Sequence, residues 1–178
     1  MSSREQNYAN VISRVGAYAV DAILLFIAIP AILGAVVALI LYLTVGFDWM
    51  QNGFLFWLFV FSTVSIPIWL YYSLLESSAR QATFGMRLFG LQVTDTDGNR
   101  ISFGRALLRT VVKLLPFEIN HLVMFLPTPI WYDPNPGFRI GFLVVNALII
   151  LYFATMFLTR RRQSVHDLVA RTIVVNAA

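Results

Sequence analysis

Three apolar runs set the limits on how this chain can fold. Val15 to Leu43 is a stretch of 29 residues with Asp21 as its only ionised member, Phe54 to Leu75 gives 22 residues without a charge, and Ile140 to Leu158 gives 19 more, with Asn146 as its one strongly polar residue. A bilayer core about 30 Å thick needs about 20 helical residues, so each run is long enough to cross. Composition agrees: 58% hydrophobic and 12% charged residues lie well outside the soluble average. The first run is longer than the apolar core of a signal peptide, carries Asp21 and lacks a small-x-small cleavage pattern, so it is expected to stay attached. Pro30 near its middle predicts a kink. In the second run Trp57, Trp69, Tyr71 and Tyr72 gather toward the ends, as interfacial anchors do.

Between the second and last runs the chain turns polar and basic, from Glu76 to Lys113. Within it "LQVTDTDGNRIS" reads as a strand, an Asp-Gly turn and a second strand, hence a small hairpin. The stretch is not a calcium loop, because counting from Asp95 puts Arg100 where the glycine belongs and Ala106 where the bidentate glutamate belongs. Ser102 then caps a helix beginning "FGRALLRTVVKLL". Arg105, Arg109 and Lys113 fall at i, i+4 and i+8 on one face, with Leu107, Leu108, Val111 and Leu114 opposite, an amphipathic pattern suited to a surface of anionic lipid headgroups. The following 114–131 segment is apolar but interrupted by Glu118, Asn120, His121 and prolines, and is expected to be a weak or re-entrant span.

Charge placement sets the expected topology. The loop between the first two runs has no Lys or Arg, whereas the N-terminus (Arg4, Arg14), the middle loop 76–113 and the tail 159–178 together hold every basic residue except Arg139. If basic residues stay in the cytoplasm, both termini and the middle loop lie inside. The crossings must then be even in number, so four spans are expected, at about 15–43, 54–75, 114–131 and 140–158. A three-span chain with an external tail is the alternative.

Two sets of ionisable residues stand out against this apolar background. Arg14 and Asp21 are seven residues apart, so they share one helical face about 10 Å apart along the axis. With Arg14 at the interface, Asp21 lies inside the hydrocarbon, where a carboxylate needs a cation from another element, a lined water pocket or a proton. Asp21 is therefore read either as a lock on the first helix or as a cation or proton site. Glu118 and His121, at i and i+3, face the same way and form either a proton relay or a wetted pair at the interface. Asp167 is expected to pair with an arginine, Arg14 being the candidate. Ser164, His166 and Asp167 lie too close in sequence to read as a triad. The chain has no cysteine, which excludes disulfides, thiolate metal sites and cysteine nucleophiles. Enzyme fingerprints are also missing, so no catalytic residue, metal or cofactor is expected. Nucleic acid is not expected as a partner, because the basic residues flank apolar runs.

Three blocks, "SRVGAYAVDAILL", "QATFGMRLFGLQVTDTDGNRISFGRALLRT" and "RRRQSVHDLVARTIVV", together resemble the RDD family of small bacterial membrane proteins, named for one arginine and two aspartates. The matching positions are Arg14, Asp21 and Asp167. The family often reads Thr-Pro-Gly-Lys or Thr-Leu-Gly-Lys where this chain has Thr83, Phe84, Gly85 and Met86, a departure that removes the lysine an anion-binding loop would use. The resemblance implies a single multi-pass domain in the bacterial inner membrane. It also implies transport of a small solute or ion, with exchange of monovalent cations for protons proposed for some members. The expected fold is an all-α bundle of about four spans with a small cytoplasmic hairpin and amphipathic helix. The competing expectation is a non-transporting scaffold or assembly factor that binds anionic lipid or a partner protein. Four spans are few for a transporter built from inverted repeats, so a homo-oligomer is expected if the chain conducts.

Overall fold

The computed structural model describes residues 7–177; Arg4, counted above among the inside charges, and Ala178 lie outside the described residues. Helices dominate. α1 (Val11–Ile29), a π-helical turn (Pro30–Gly34) and α2 (Ala35–Val45) run on as one helix. α3 (Gly53–Val60), a second π turn (Phe61–Ser65) and α4 (Ile66–Glu76) form the next. With α7 (Gly141–Leu158), these give three helices long and apolar enough to cross a membrane, and no more than 22% of any of their apolar windows is buried. The first two observed spans extend the sequence boundaries by at most four residues, and the third starts one residue later.

The prolines explain the irregular turns. A proline cannot donate to the carbonyl four residues back and its ring crowds that carbonyl. The first wide turn starts at Pro30, where the kink was expected, and the second surrounds Thr63, the carbonyl that Pro67 cannot serve. The two wide turns pack against each other. α6 (Phe103–Phe125) runs straight through Pro116, and the Val112 carbonyl left without its helical partner accepts from the Tyr152 hydroxyl at 2.6 Å. The basic helix and the segment expected to start a new span at residue 114 are thus one element.

The hairpin expectation is corrected. The Asp-Gly turn forms, with the Asp95 carboxylate accepting from the amides of Asp97 and Asn99 at 2.9 and 2.8 Å, and Gly98 adopts the positive φ the turn requires. The residues after it do not pair back. β1 (Leu91–Asp95) instead pairs antiparallel with β2 (Thr172–Asn176), in register Leu91 to Asn176 through Asp95 to Thr172. Tyr8 adds an isolated bridge to Val175. A β-branched tail strand with both faces buried is a better partner for β1 than the polar "GNRIS" that follows the turn.

The chain divides into two compact units. One contains the described residues up to Ile23, Trp69–Lys113 and the residues from Ile150 onward; the other contains Leu24–Ile68 and Leu114–Ile149. The first has an apolar core of Ala9, Ala17, Met86, Leu91, Val93 and Val174, among others, beside the charged residues described below. The second is rich in aromatics: Phe56 packs edge-on to Phe125 and Trp131 at 4.9 and 5.3 Å between centroids. There Arg139 donates to the carbonyls of Val123, Leu126 and Thr128 at the end of α6, as a cation closing a helix C-terminus does.

Candidate functional site

The first unit buries a chain of ion pairs. Asp167 sits in α8 (Val165–Ala170), where its carboxylate accepts the Ser164 amide at 3.0 Å and so caps its own helix. The same Oδ2 accepts from Arg14 Nη2 at 2.5 Å. Oδ1 accepts from Arg109 Nε and Nη2 at 3.0 and 2.9 Å and from the Thr172 hydroxyl at 3.3 Å. Arg109 turns its remaining nitrogen to Glu76 Oε1 at 2.5 Å, which also receives Lys113 Nζ at 2.6 Å. The lysine ammonium lies 3.9 Å from the centre of the Tyr72 ring. Arg14 further donates to Tyr18 Oη at 3.1 Å and to the Arg162 carbonyl. Arg14, Arg109, Glu76 and Asp167 are almost wholly excluded from solvent.

These five ionised groups carry three positive and two negative charges. Burial alone would push the Asp167 carboxyl up, but Arg14 and then Arg109 hold it well below the usual carboxylate range. His166, with Nε2 3.3 Å from Tyr18 Oη, is pushed well below its ordinary value by burial, aided by repulsion from Arg109, Lys113 and Arg14. A neutral His166 leaves the cluster with one excess positive charge. Ser164 Oγ donates to the Tyr152 carbonyl at 2.9 Å, so its hydroxyl is tied to the backbone rather than to an imidazole.

Asp21 lies in the same unit with its carboxylate wholly buried. Oδ1 accepts from the Tyr71 hydroxyl at 2.8 Å and the Gly85 amide at 2.7 Å, and Oδ2 accepts from the Thr83 hydroxyl at 2.6 Å. These three donors are neutral, so hydrogen bonds take the role expected of a cation. Thr83 also caps α5 (Phe84–Leu88) by accepting the Met86 amide. The carboxylate that this loop cradles therefore belongs to the chain itself. A β-carbon at position 85 would collide with the Ala17 carbonyl and come within 2.9 Å of Asp21 Cγ, so glycine is required for the approach. Met86, where the family motif often has lysine, is buried in the apolar core.

The basic face assigned to Arg105, Arg109 and Lys113 is corrected. Only Arg105 is exposed, 3.6 Å from Asp95; Arg109 and Lys113 point inward to Glu76, while Leu108 and Leu115 face out. Near hydrocarbon the polar face of a helix turns inward and its leucines outward, the reverse of a helix lying on a soluble core. Sequence reasoning missed Glu76, read only as the start of the polar middle segment, and missed Thr83, Gly85 and Tyr71 as the holders of Asp21. A carboxylate closing a long apolar helix was the available signal for Glu76.

In the second unit Glu118 and His121 do face the same way. Glu118 Oε2 accepts from Ser65, at the end of the second wide turn, at 3.1 Å and lies 3.6 Å from His121 Nδ1. The imidazole stacks on Phe125 with ring centroids 5.6 Å apart. Its Nδ1 is buried without a hydrogen bond. Phe26, Val64, Ser65, Leu114, Glu118 and His121 help line a void in which the centre of a water molecule has about 10 Å³, room for one. Among the described residues no group of three or more His, Asp or Glu gathers to hold a metal ion.

A family model described as RDD family fits residues 8–171, nearly the whole chain. No curated protein and no solved structure matches.

Proposed function

The chain belongs to the RDD family, and from that premise we propose that it is a four-crossing protein of the bacterial inner membrane that exchanges a small cation for protons. In this reading the 114–131 segment, the second half of α6 and the turns that follow it, contributes the fourth passage. Both termini and the layer around β1 and β2 face the cytoplasm. One observation carries the proposal: Glu118 and His121 lie beside a water-sized void whose other lining residues are apolar except for Ser65, with the imidazole Nδ1 buried without a hydrogen bond. A carboxylate next to an imidazole can load and release one proton as a pair. Asp21, held by three donors and closed to solvent, is then an anchor like Arg14 and Asp167, and the exchanging pair is Glu118 with His121.

The test is reconstitution in vesicles enclosing a pH-sensitive dye. A sodium or potassium gradient should drive proton flux in the native protein, Glu118→Gln should abolish it, and Arg105→Gln should leave it intact. Absence of flux from native protein under every gradient refutes the proposal. Topology is tested in the same vesicles with single cysteines at Asn52, Asn99, Asn135 and Asn176, since the native chain has none. The first and third should label from outside, the second and fourth from inside.

A second reading, a non-transporting scaffold on anionic lipid, draws on the exposed Arg87, Arg160, Arg161 and Arg171 together with exposed Phe84, Leu88 and Leu168. Basic side chains interleaved with apolar ones suit a headgroup layer.

A further inference from the structure

α7 buries Val145, Tyr152 and Met156 and leaves uncovered a flank of the helix about 120° round from them. On that side Leu143, Asn146, Ile150, Phe153 and Phe157 recur at alternating steps of three and four, the spacing by which one helix packs along another. At 100° per residue the five lie within about 80° of one another. The four apolar members are between 42% and 72% exposed. A lipid-facing stripe of this kind is ordinary in itself; the exception is its polar member. Asn146 is exposed five residues into the helix, about 8 Å along the axis from Gly141. Its Nδ2 donates to the Phe142 carbonyl at 2.7 Å, and no described residue donates to its Oδ1. The side chain is too short to reach the headgroups, and acyl chains offer no donor.

We propose that α7 docks on α7 of a second copy of this chain along the Leu143–Phe157 seam, with the two Asn146 carboxamides hydrogen-bonded to each other. A carboxamide is donor and acceptor at once, so it is complementary to itself. Copies of one sequence carry the same topology signals and insert the same way round, so their twofold axis runs along the membrane normal and brings Asn146 opposite Asn146 at equal depth. A single polar residue in such a seam fixes its register. The inference stands whether or not the protein transports ions.

Disulfide trapping tests it, again on the cysteine-free background. The full chain, in vesicles at a low protein-to-lipid ratio, carries single substitutions on the seam (Leu143→Cys, Ile150→Cys) or on exposed positions beside it (Val144→Cys, Leu151→Cys), and is mildly oxidised. Dimers should form on the seam well above the off-seam positions. Adding Asn146→Leu to Ile150→Cys should lower the dimer-to-monomer ratio by about three- to thirtyfold, with helix content unchanged by circular dichroism. Asn146→Gln, which keeps the amide, should lower it less. Equal trapping on and off the seam, or an undiminished ratio in Asn146→Leu, overturns the proposal.

Discussion

Exchanging Asp167 for Asn removes one charge from between two buried guanidinium groups while keeping the shape of the side chain. The native carboxylate accepts three N–H bonds from Arg14 and Arg109. At about 1.5–3 kcal/mol for a hydrogen bond to a charged group, the gross loss is roughly 4–9 kcal/mol. Part of it is recovered, because the carboxamide oxygen of the asparagine can still accept the two Arg109 N–H groups that now reach Oδ1, as neutral hydrogen bonds. The net cost should fall in the range for breaking one partner of a buried ion pair, about 3–5 kcal/mol. Unfolding in mixed micelles, followed by the fluorescence of the 4 tryptophans, measures it. Arg105→Gln is the control: that guanidinium is 42% exposed and 3.6 Å from Asp95, so its loss should cost no more than about 1 kcal/mol. If Asp167→Asn costs as little as Arg105→Gln, the buried layer does not hold the unit together.

Acid titration separates two groups of that layer. A carboxyl held below its ordinary value when folded contributes stability that is complete above the unfolded pKa, about 3.9, and is lost as pH falls through the folded one; Asp167→Asn should flatten that low-pH limb. His166 is also held low, so the unfolded chain takes up a proton first, and stability should fall below about pH 6.5 by up to about 1.4 kcal/mol per pH unit. His166→Gln should remove this earlier slope, and a native curve flat from pH 7 to 5 would refute it. Gly85→Ala should cost about 1–3 kcal/mol through the clash with the Ala17 carbonyl, read in the same micelles; a neutral result would mean that α5 can shift without loosening Asp21.

The apolar runs were legible because span length and charge exclusion act on consecutive residues, and the three helices lie close to where the sequence puts them. The pairing of Asp167 was legible too, since a carboxylate beside an arginine-rich layer has few other partners. What was hidden depended on direction and distance. Spacing places Arg105, Arg109 and Lys113 on one face but does not say that two of them turn inward. An Asp-Gly turn between short strands suggests local pairing, while the actual partner of β1 lies some eighty residues on, a separation that no local pattern encodes. Tyr71 and Tyr72 look like interfacial anchors, yet the hydroxyl of one holds Asp21 and the ring of the other receives Lys113.

The ion-pair layer also imposes an order on biosynthesis. A ribosome finishes Arg14, Arg109 and Lys113 long before it reaches Asp167, and β1 before β2, so a nascent chain with its first helices already inserted carries these three cations with Glu76 as the one carboxylate of the layer yet made. The layer closes only once Asp167 and β2 emerge. A chain stopped short of Ser164 would retain all three long apolar helices yet keep that charge imbalance.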